Sequence, residues 1–223
     1  RNVDLNILMF NNRIYGLTKG QYSPTSEVGK LTKSTPVGSL DYPFNPPSLA
    51  LGAGATFIAR SIDKDIKGQG IIYKESYEHK GTSFVEVYQN CNIFNDGAFS
   101  ILTDRETKLD NVIYLTHDEP MVFGFKDAPK GIILDGFKLK VVSLDNYSED
   151  DLLVHNKYDK NLAMLVCEMT YDEALPTPFG VFYVESKPTY DQLFKNQIDE
   201  QIKSKGSGKL EDLIYTKNTW EIT

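Results

Sequence analysis

The sequence has little of what small metal-binding or disulfide-stapled proteins rely on. Two cysteines in 223 residues, Cys91 and Cys167, are too few for a disulfide framework. Three histidines, His79, His117 and His155, do not complete a zinc site with them. The histidines follow no ligand or catalytic spacing and read as surface or polar-core residues. No apolar run approaches the roughly 18 residues of a membrane-spanning helix, so such a helix is excluded and no membrane partner is expected. Positive charge is in deficit, 24 Lys and Arg against 31 Asp and Glu for a net charge of −7. That balance argues against a general nucleic-acid binder, which needs a basic face. What is present, 40% hydrophobic and 25% charged residues, describes a globular protein with a sizeable core. With so few cysteines, a reducing, cytoplasmic setting is the default expectation.

The apolar residues fall into alternating strand and helix patterns. Residues 3–10 end in the run Ile7-Leu8-Met9-Phe10 and read as a buried parallel strand. A central strand so close to the start, with no initiator Met, suggests a fragment whose upstream part is missing rather than a processed chain. Asn45 as a cap and Pro46 in the first helical position open a short helix rich in small residues. Residues 57–60 read as a strand, 63–80 as a helix closed by Gly81, and 83–88 as a strand. This order predicts an α/β architecture around a parallel sheet, and three strands are few for a stable one.

Beyond Cys91 the pattern changes. Residues 111–115, 121–125 and 131–136 fit hairpins or edge strands. Ser148 with Asp151 starts a short helix over 150–154, and 160–170 reads as a helix with Leu162, Leu165, Val166 and Met169 at core spacing. Cys167 on that helix reads as a small buried thiol. Residues 180–184 form a late strand. Tyr190, Leu193, Phe194, Gln197, Ile198 and Ile202 share one face of an amphipathic helix expected to dock on the body or on a partner subunit.

Chemistry concentrates just after the first strand. In open α/β sheets ligands bind beyond the carboxyl ends of strands. There the sequence places Asn11 and Asn12, then a glycine-containing turn that offers Thr18, Lys19 and several backbone N–H groups. Amide and carbonyl oxygens suit a hard divalent cation, and N–H groups with an ammonium suit phosphate or carboxylate. The same residues also suit a plain polar strand-to-helix turn. Residues 14–40 that follow are locally basic, with Lys19, Lys30 and Lys33 against Glu27, and read as a solvated loop or as one that meets anionic groups.

The run from Phe10 to Thr25, FNNRIYGLTKGQYSPT, resembles the thiamine-diphosphate loop of the β subunit of 2-oxoacid:ferredoxin oxidoreductases, most nearly the 2-oxoglutarate type. The resemblance continues at Lys33-Ser34-Thr35-Pro36, at 43–46, at 50–60, at Tyr88-Gln89-Asn90-Cys91-Asn92 and around 175–180. It implies a parallel-sheet, thiamine-diphosphate-binding α/β fold truncated at its N-terminus, over residues 1–102, with an irregular α+β extension over 103–223. It implies that Asn12 and the carbonyl of Ile14 ligate Mg²⁺. Tyr15, Gly16, Leu17 and Thr18 then line the diphosphate and thiazolium, and Lys19 meets a substrate carboxylate beside Leu17. The family's Gly-Asp-Gly metal motif is not found here. Cys91, on composition alone a buried thiol, is implied to be one ligand of a [4Fe–4S] cluster, which takes four thiolates. The implied reaction is oxidative decarboxylation of 2-oxoglutarate with coenzyme A, the electrons passing to ferredoxin, and an α subunit is the implied partner. Pyruvate or a branched-chain 2-oxoacid as substrate, and a non-catalytic α/β module, are the alternatives.

Overall fold

The computed structural model describes residues 2–215 and residue 220. In chain order the first elements are β1 (Leu5–Asn11), α1 (Pro46–Gly52), β2 (Phe57–Ile62), α2 (Ile66–Glu78) and β3 (Thr82–Tyr88). Then come α3 (Ser100–Thr103), α4 (Lys108–Asn111), β4 (Val112–Leu115), β5 (Val122–Phe125), β6 (Ala128–Asp135) and β7 (Lys138–Ser143). The chain continues with a 3₁₀ turn (Glu149–Asp151), α5 (Lys160–Glu168), a second 3₁₀ turn (Met169–Tyr171), β8 (Thr177–Val184), α6 (Tyr190–Lys205) and α7 (Leu210–Ile214). The expected helix start at Asn45 holds, and the second helix starts later than expected, after an Asp65 cap. The Asn45 side chain accepts from Ser48 N at 3.2 Å, and Asp65 accepts from Gly68 N at 3.0 Å, so each satisfies an otherwise orphaned helical N–H.

Five strands form the main sheet in the order β1-β3-β2-β8-β4. The expected parallel core is β1, β3 and β2, with Asn11 opposite Tyr88 and Arg60 opposite Glu86. β8 returns antiparallel to β2, and β4 lies parallel to β8 at the far edge. Gly180, at a φ of +122°, allows that junction, because a Cβ there would stand 2.9 Å from the Leu115 carbonyl. β5, β6 and β7 form a separate antiparallel sheet, and β7 is a strand the patterning did not single out. All six residues of β2 are buried, as expected of a central strand covered on both sides.

Two expectations need correction. β1 is not a buried strand: it lies at the sheet edge, with Ile7 39%, Leu8 43% and Phe10 59% exposed. Of the two docking places expected for the apolar face of α6, the body is not the one, since α6 has no buried residue; the partner-subunit alternative stands as an expectation. The helices expected over 63–80, 150–154 and 160–170 are shorter, over 66–78, 149–151 and 160–168, because their outer residues serve as caps or open a 3₁₀ turn. The main core joins α1 and β2 to the later half of the chain. Leu51 and Ile58 pack in one cluster with Ile113, Met121, Ile132 and Val166, and Cys167 lies fully buried there.

Candidate functional site

The site grows from the carboxyl end of β1. Asn11 is buried, and its Nδ2 donates to Glu86 Oε1 at 2.7 Å. Its Oδ1 accepts from Thr25 Oγ1 at 2.7 Å and from Arg13 N at 3.1 Å. Glu86 in turn pairs with Arg60 Nε at 2.7 Å, and both side chains are wholly inaccessible. The guanidinium lies against Tyr88 and Phe182 and donates to Thr170 Oγ1 at 2.5 Å. A buried ion pair thus fixes the first of the two amides and frees the second to face outward.

Asn12 is half-buried, and its Oδ1 accepts from Ile14 N at 3.2 Å, which closes an Asx turn. Arg13 holds a φ of +55° and Lys19 one of +61°, uncommon for residues with a Cβ. Arg13 is held there by the Asn11 side chain, by Ser26 Oγ donating to its carbonyl at 2.6 Å, and by stacking over Tyr88 and Phe99. Backbone strain retained by several contacts at once is common at ligand-binding loops. The carbonyls of the turn are spoken for in sequence. Asn11 O accepts from Gln89 N at 3.1 Å, Asn12 O from Asn95 Nδ2 at 2.9 Å, and Arg13 O from Ser26. The Ile14 carbonyl accepts no hydrogen bond among the described residues, although Ile14 is only 4% exposed. A nearly buried carbonyl with open lone pairs is costly unless something fills it. With the amide oxygen of Asn12 it offers two hard oxygen donors of the kind that suits Mg²⁺. These are two oxygens of the six that Mg²⁺ requires, and no cluster of three or more His, Cys, Asp or Glu occurs among the described residues.

Tyr15, Gly16, Leu17 and Thr18 form the exposed turn that follows, closed by Tyr15 pairing with Gln21. Leu17 is 98% exposed, and Thr18 Oγ1 donates to the Tyr15 carbonyl at 3.4 Å. Lys19 lines a groove of about 610 Å³ with Gly20, Lys33, Pro36, Ile93 and Phe94. Two ammonium groups and no carboxylate line that groove, so it favours an anion. A second cavity, of about 440 Å³ between α2 and the β4–β8 edge, contains none of the expected site residues.

Cys91 stands across the loop, partly exposed rather than buried. The backbone N–H of Phe94, with those of Ile93 and Asn95, holds its thiol below the ordinary cysteine range, against a smaller rise from partial burial. That environment favours a thiolate. Cys167 is the opposite case: burial pushes its thiol up to about 12. One available thiolate does not make a four-thiolate cluster site, and these residues do not assemble one. The structure therefore brings Asn12, Ile14, the 15–19 turn and Cys91 onto one end of the parallel strands. The residues that the patterning missed are Glu86, Arg60, Thr25, Ser26 and Asn95. Asn95 had one available signal, its place in the turn-forming run Asn95-Asp96-Gly97.

Residues 1–87 match the family described as thiamine pyrophosphate enzyme, C-terminal TPP binding domain. The chain is 42% identical to 2-oxoglutarate oxidoreductase subunit KorB of Mycobacterium tuberculosis, over all of this chain and 60% of that protein. It is 45% identical over 96 residues to the 2-oxoacid:ferredoxin oxidoreductase subunit beta of Saccharolobus solfataricus, 43% of this chain and 32% of that one. Its fold is similar to a solved 2-oxoglutarate:ferredoxin oxidoreductase from Magnetococcus marinus, with a TM-score of 0.65 and 26% identity over 96% of this chain and 57% of that one. The chain thus spans about 60% of the length of the mycobacterial relative.

Proposed function

Because the chain belongs to the family of 2-oxoacid:ferredoxin oxidoreductase β subunits, we propose that it is the cofactor-holding subunit of an enzyme that oxidatively decarboxylates 2-oxoglutarate. In the proposed reaction 2-oxoglutarate, coenzyme A and two oxidised ferredoxins give succinyl-CoA, CO₂, two reduced ferredoxins and a proton. Thiamine diphosphate, when bound, supplies the carbon nucleophile and the electron sink that the 2-oxoacid needs. This chain's own residues position it. Asn12 Oδ1 and the Ile14 carbonyl hold Mg²⁺, while Tyr15, Gly16, Leu17 and Thr18 line the cofactor. Lys19, beside Lys33 in the anion-favouring groove, receives the distal carboxylate that distinguishes 2-oxoglutarate from pyruvate. Cys91 contributes one thiolate to an iron–sulfur cluster whose other ligands lie outside these residues. An α subunit completes the site. A cytoplasmic setting is supported by the two free cysteines, and no described helix is long and apolar enough to cross a membrane.

The observation that carries this reading is the nearly buried Ile14 carbonyl, open beside the Asn12 turn at the carboxyl end of β1. The test uses the assembled enzyme, with viologen reduction as the readout and 2-oxoglutarate, pyruvate and 2-oxoisovalerate as substrates. 2-Oxoglutarate should give the highest kcat/KM. Lys19→Ala should raise KM for 2-oxoglutarate about tenfold, the loss of one charge-assisted contact, and leave pyruvate nearly unchanged. An equal rise for both substrates would remove Lys19 from the distal carboxylate.

A further inference from the structure

Asn95 joins two parts of the site that are far apart in sequence. It is buried, and its backbone N–H donates to the Cys91 carbonyl at 3.0 Å, which closes the Cys91 turn. Its side chain reaches the other way. Nδ2 donates to the Asn12 carbonyl at 2.9 Å and reaches the Arg13 carbonyl at 3.5 Å. Its Oδ1 accepts from Lys30 Nζ, which also pairs with Glu27 at 2.9 Å. That ammonium can only donate, so it dictates which end of the amide faces the carbonyls. Phe94, the neighbour in the same turn, lies against the loop as well. A Cβ on Gly20, where φ is +98°, would stand 3.2 Å from its ring, and one on Gly16 would stand 3.9 Å away.

The effect on the loop is specific. Asn95 occupies the Asn12 carbonyl and shares that of Arg13 with Ser26. The Ile14 carbonyl is left as the oxygen of the turn with open lone pairs. Without the clamp, the carbonyls of Asn12 and Arg13 could rotate to compete for a cation or pull the turn from its strained φ. We propose that Asn95, oriented by Lys30, is a positioning residue that presents the Ile14 carbonyl to the metal and couples the Cys91 turn to the cofactor loop. This rests on the cofactor reading given under Proposed function.

Asn95→Asp is the informative variant. It keeps the size and the acceptor for Lys30 but replaces the donor with an oxygen that repels the two carbonyls. The measurement is the affinity of the full enzyme for Mg²⁺ at saturating thiamine diphosphate, by calorimetry, with Mn²⁺ binding followed by electron paramagnetic resonance. Cofactor-free melting temperature is recorded in parallel. Asn95→Asp should weaken Mg²⁺ and Mn²⁺ binding at least about tenfold, as expected when a hydrogen bond becomes a repulsion, with a melting temperature near that of the parent. Lys30→Gln, which retains the clamp but loses the ammonium that orients it, should weaken binding by a smaller factor. If the folded Asn95→Asp enzyme binds the metal within twofold of the parent, the proposal is overturned. A residue that served only the fold would lower the melting temperature without changing affinity in the folded fraction. Should Asn95→Asp not fold, Asn95→Ser is judged by the same affinity criterion. If the parent enzyme itself binds no thiamine diphosphate, the cofactor reading fails, and the proposal falls with it for a separate reason.

Discussion

Glu86 shows how much the site owes to single residues. It has no exposed surface, and each carboxylate oxygen has one partner, Asn11 on one side and Arg60 on the other. A buried pair of this kind contributes little net stability, but removing one member leaves the other charge uncompensated. Glu86→Ala should therefore cost about 3–5 kcal/mol in urea unfolding at neutral pH. It should also loosen Asn11, which holds Thr25 and the Arg13 turn. The double variant Arg60→Met with Glu86→Leu should recover most of that loss, since two apolar side chains of similar volume leave no buried charge. A loss below about 1 kcal/mol for Glu86→Ala would mean that water reaches the pair. Two amides at a strand end are a local signal for Asn12, whereas Ile14 enters only through the family resemblance of the same run. The sequence does not show Glu86, because in an alternating strand an acidic residue reads as outward-facing. Its strand lies between β1 and β2, and its partners Asn11 and Arg60 come from those two neighbouring strands, far from it in the chain.

At the scale of elements, His155 pins the segment between the small sheet and α5. Its backbone N–H donates to the Glu119 carbonyl at 3.0 Å, and its own carbonyl accepts from Asp118 N at 2.9 Å. Its Nε2–H donates to the Val181 carbonyl of β8 at 2.8 Å. Nδ1 is buried with no partner among the described residues, so a proton there would create an unsatisfied donor. Burial lowers the pKa of His155, the Val181 carbonyl opposes that, and nearby His117 and Lys157 lower it further. The folded state therefore binds fewer protons than the unfolded chain, whose histidine titrates near about 6.5. The contribution is complete above that value and is lost as pH falls through it toward the lower folded pKa. His79 is also lowered by burial, with Asp4 opposing, so His155→Gln should flatten the decline of melting temperature between pH 7.5 and 5 without abolishing it. Parallel curves for variant and parent would remove His155 from the acid sensitivity. Periodicity revealed the five elements of the first 88 residues in their order and type, with their ends displaced by a few residues. It missed β7 and left β4 undecided between hairpin and edge, because pairing partners in the second half lie far along the chain.

For the whole molecule, the informative surface is β1. Leu5, Ile7 and Met9 point to one face and Leu8 and Phe10 to the other, and a strand apolar on both faces belongs in a sheet covered on both sides. The described residues leave both faces open, with Leu5 50%, Leu8 43% and Phe10 59% exposed. The outer edge also presents backbone groups to solvent, and β1 carries no lysine and no proline, the usual guards of an open edge. The apolar side of α6 adds Leu193 at 55% and Phe194 at 51% exposed. A net charge of −7 opposes association at long range but is screened within about 10 Å at 0.1 M salt, which is beyond the range of edge pairing. The 223-residue chain alone should therefore self-associate at micromolar concentration, and more so as salt rises. Leu8→Lys places a charge on the open face opposite Val85 and should shift light scattering toward the monomer, with little change in melting temperature because the leucine is already partly solvated. If Leu8→Lys leaves the oligomer distribution unchanged while Phe194→Lys disperses it, association runs through α6 and the β1 edge is not the sticking point. A monodisperse parent chain at high salt would show that the unpaired edge is protected by its twist alone.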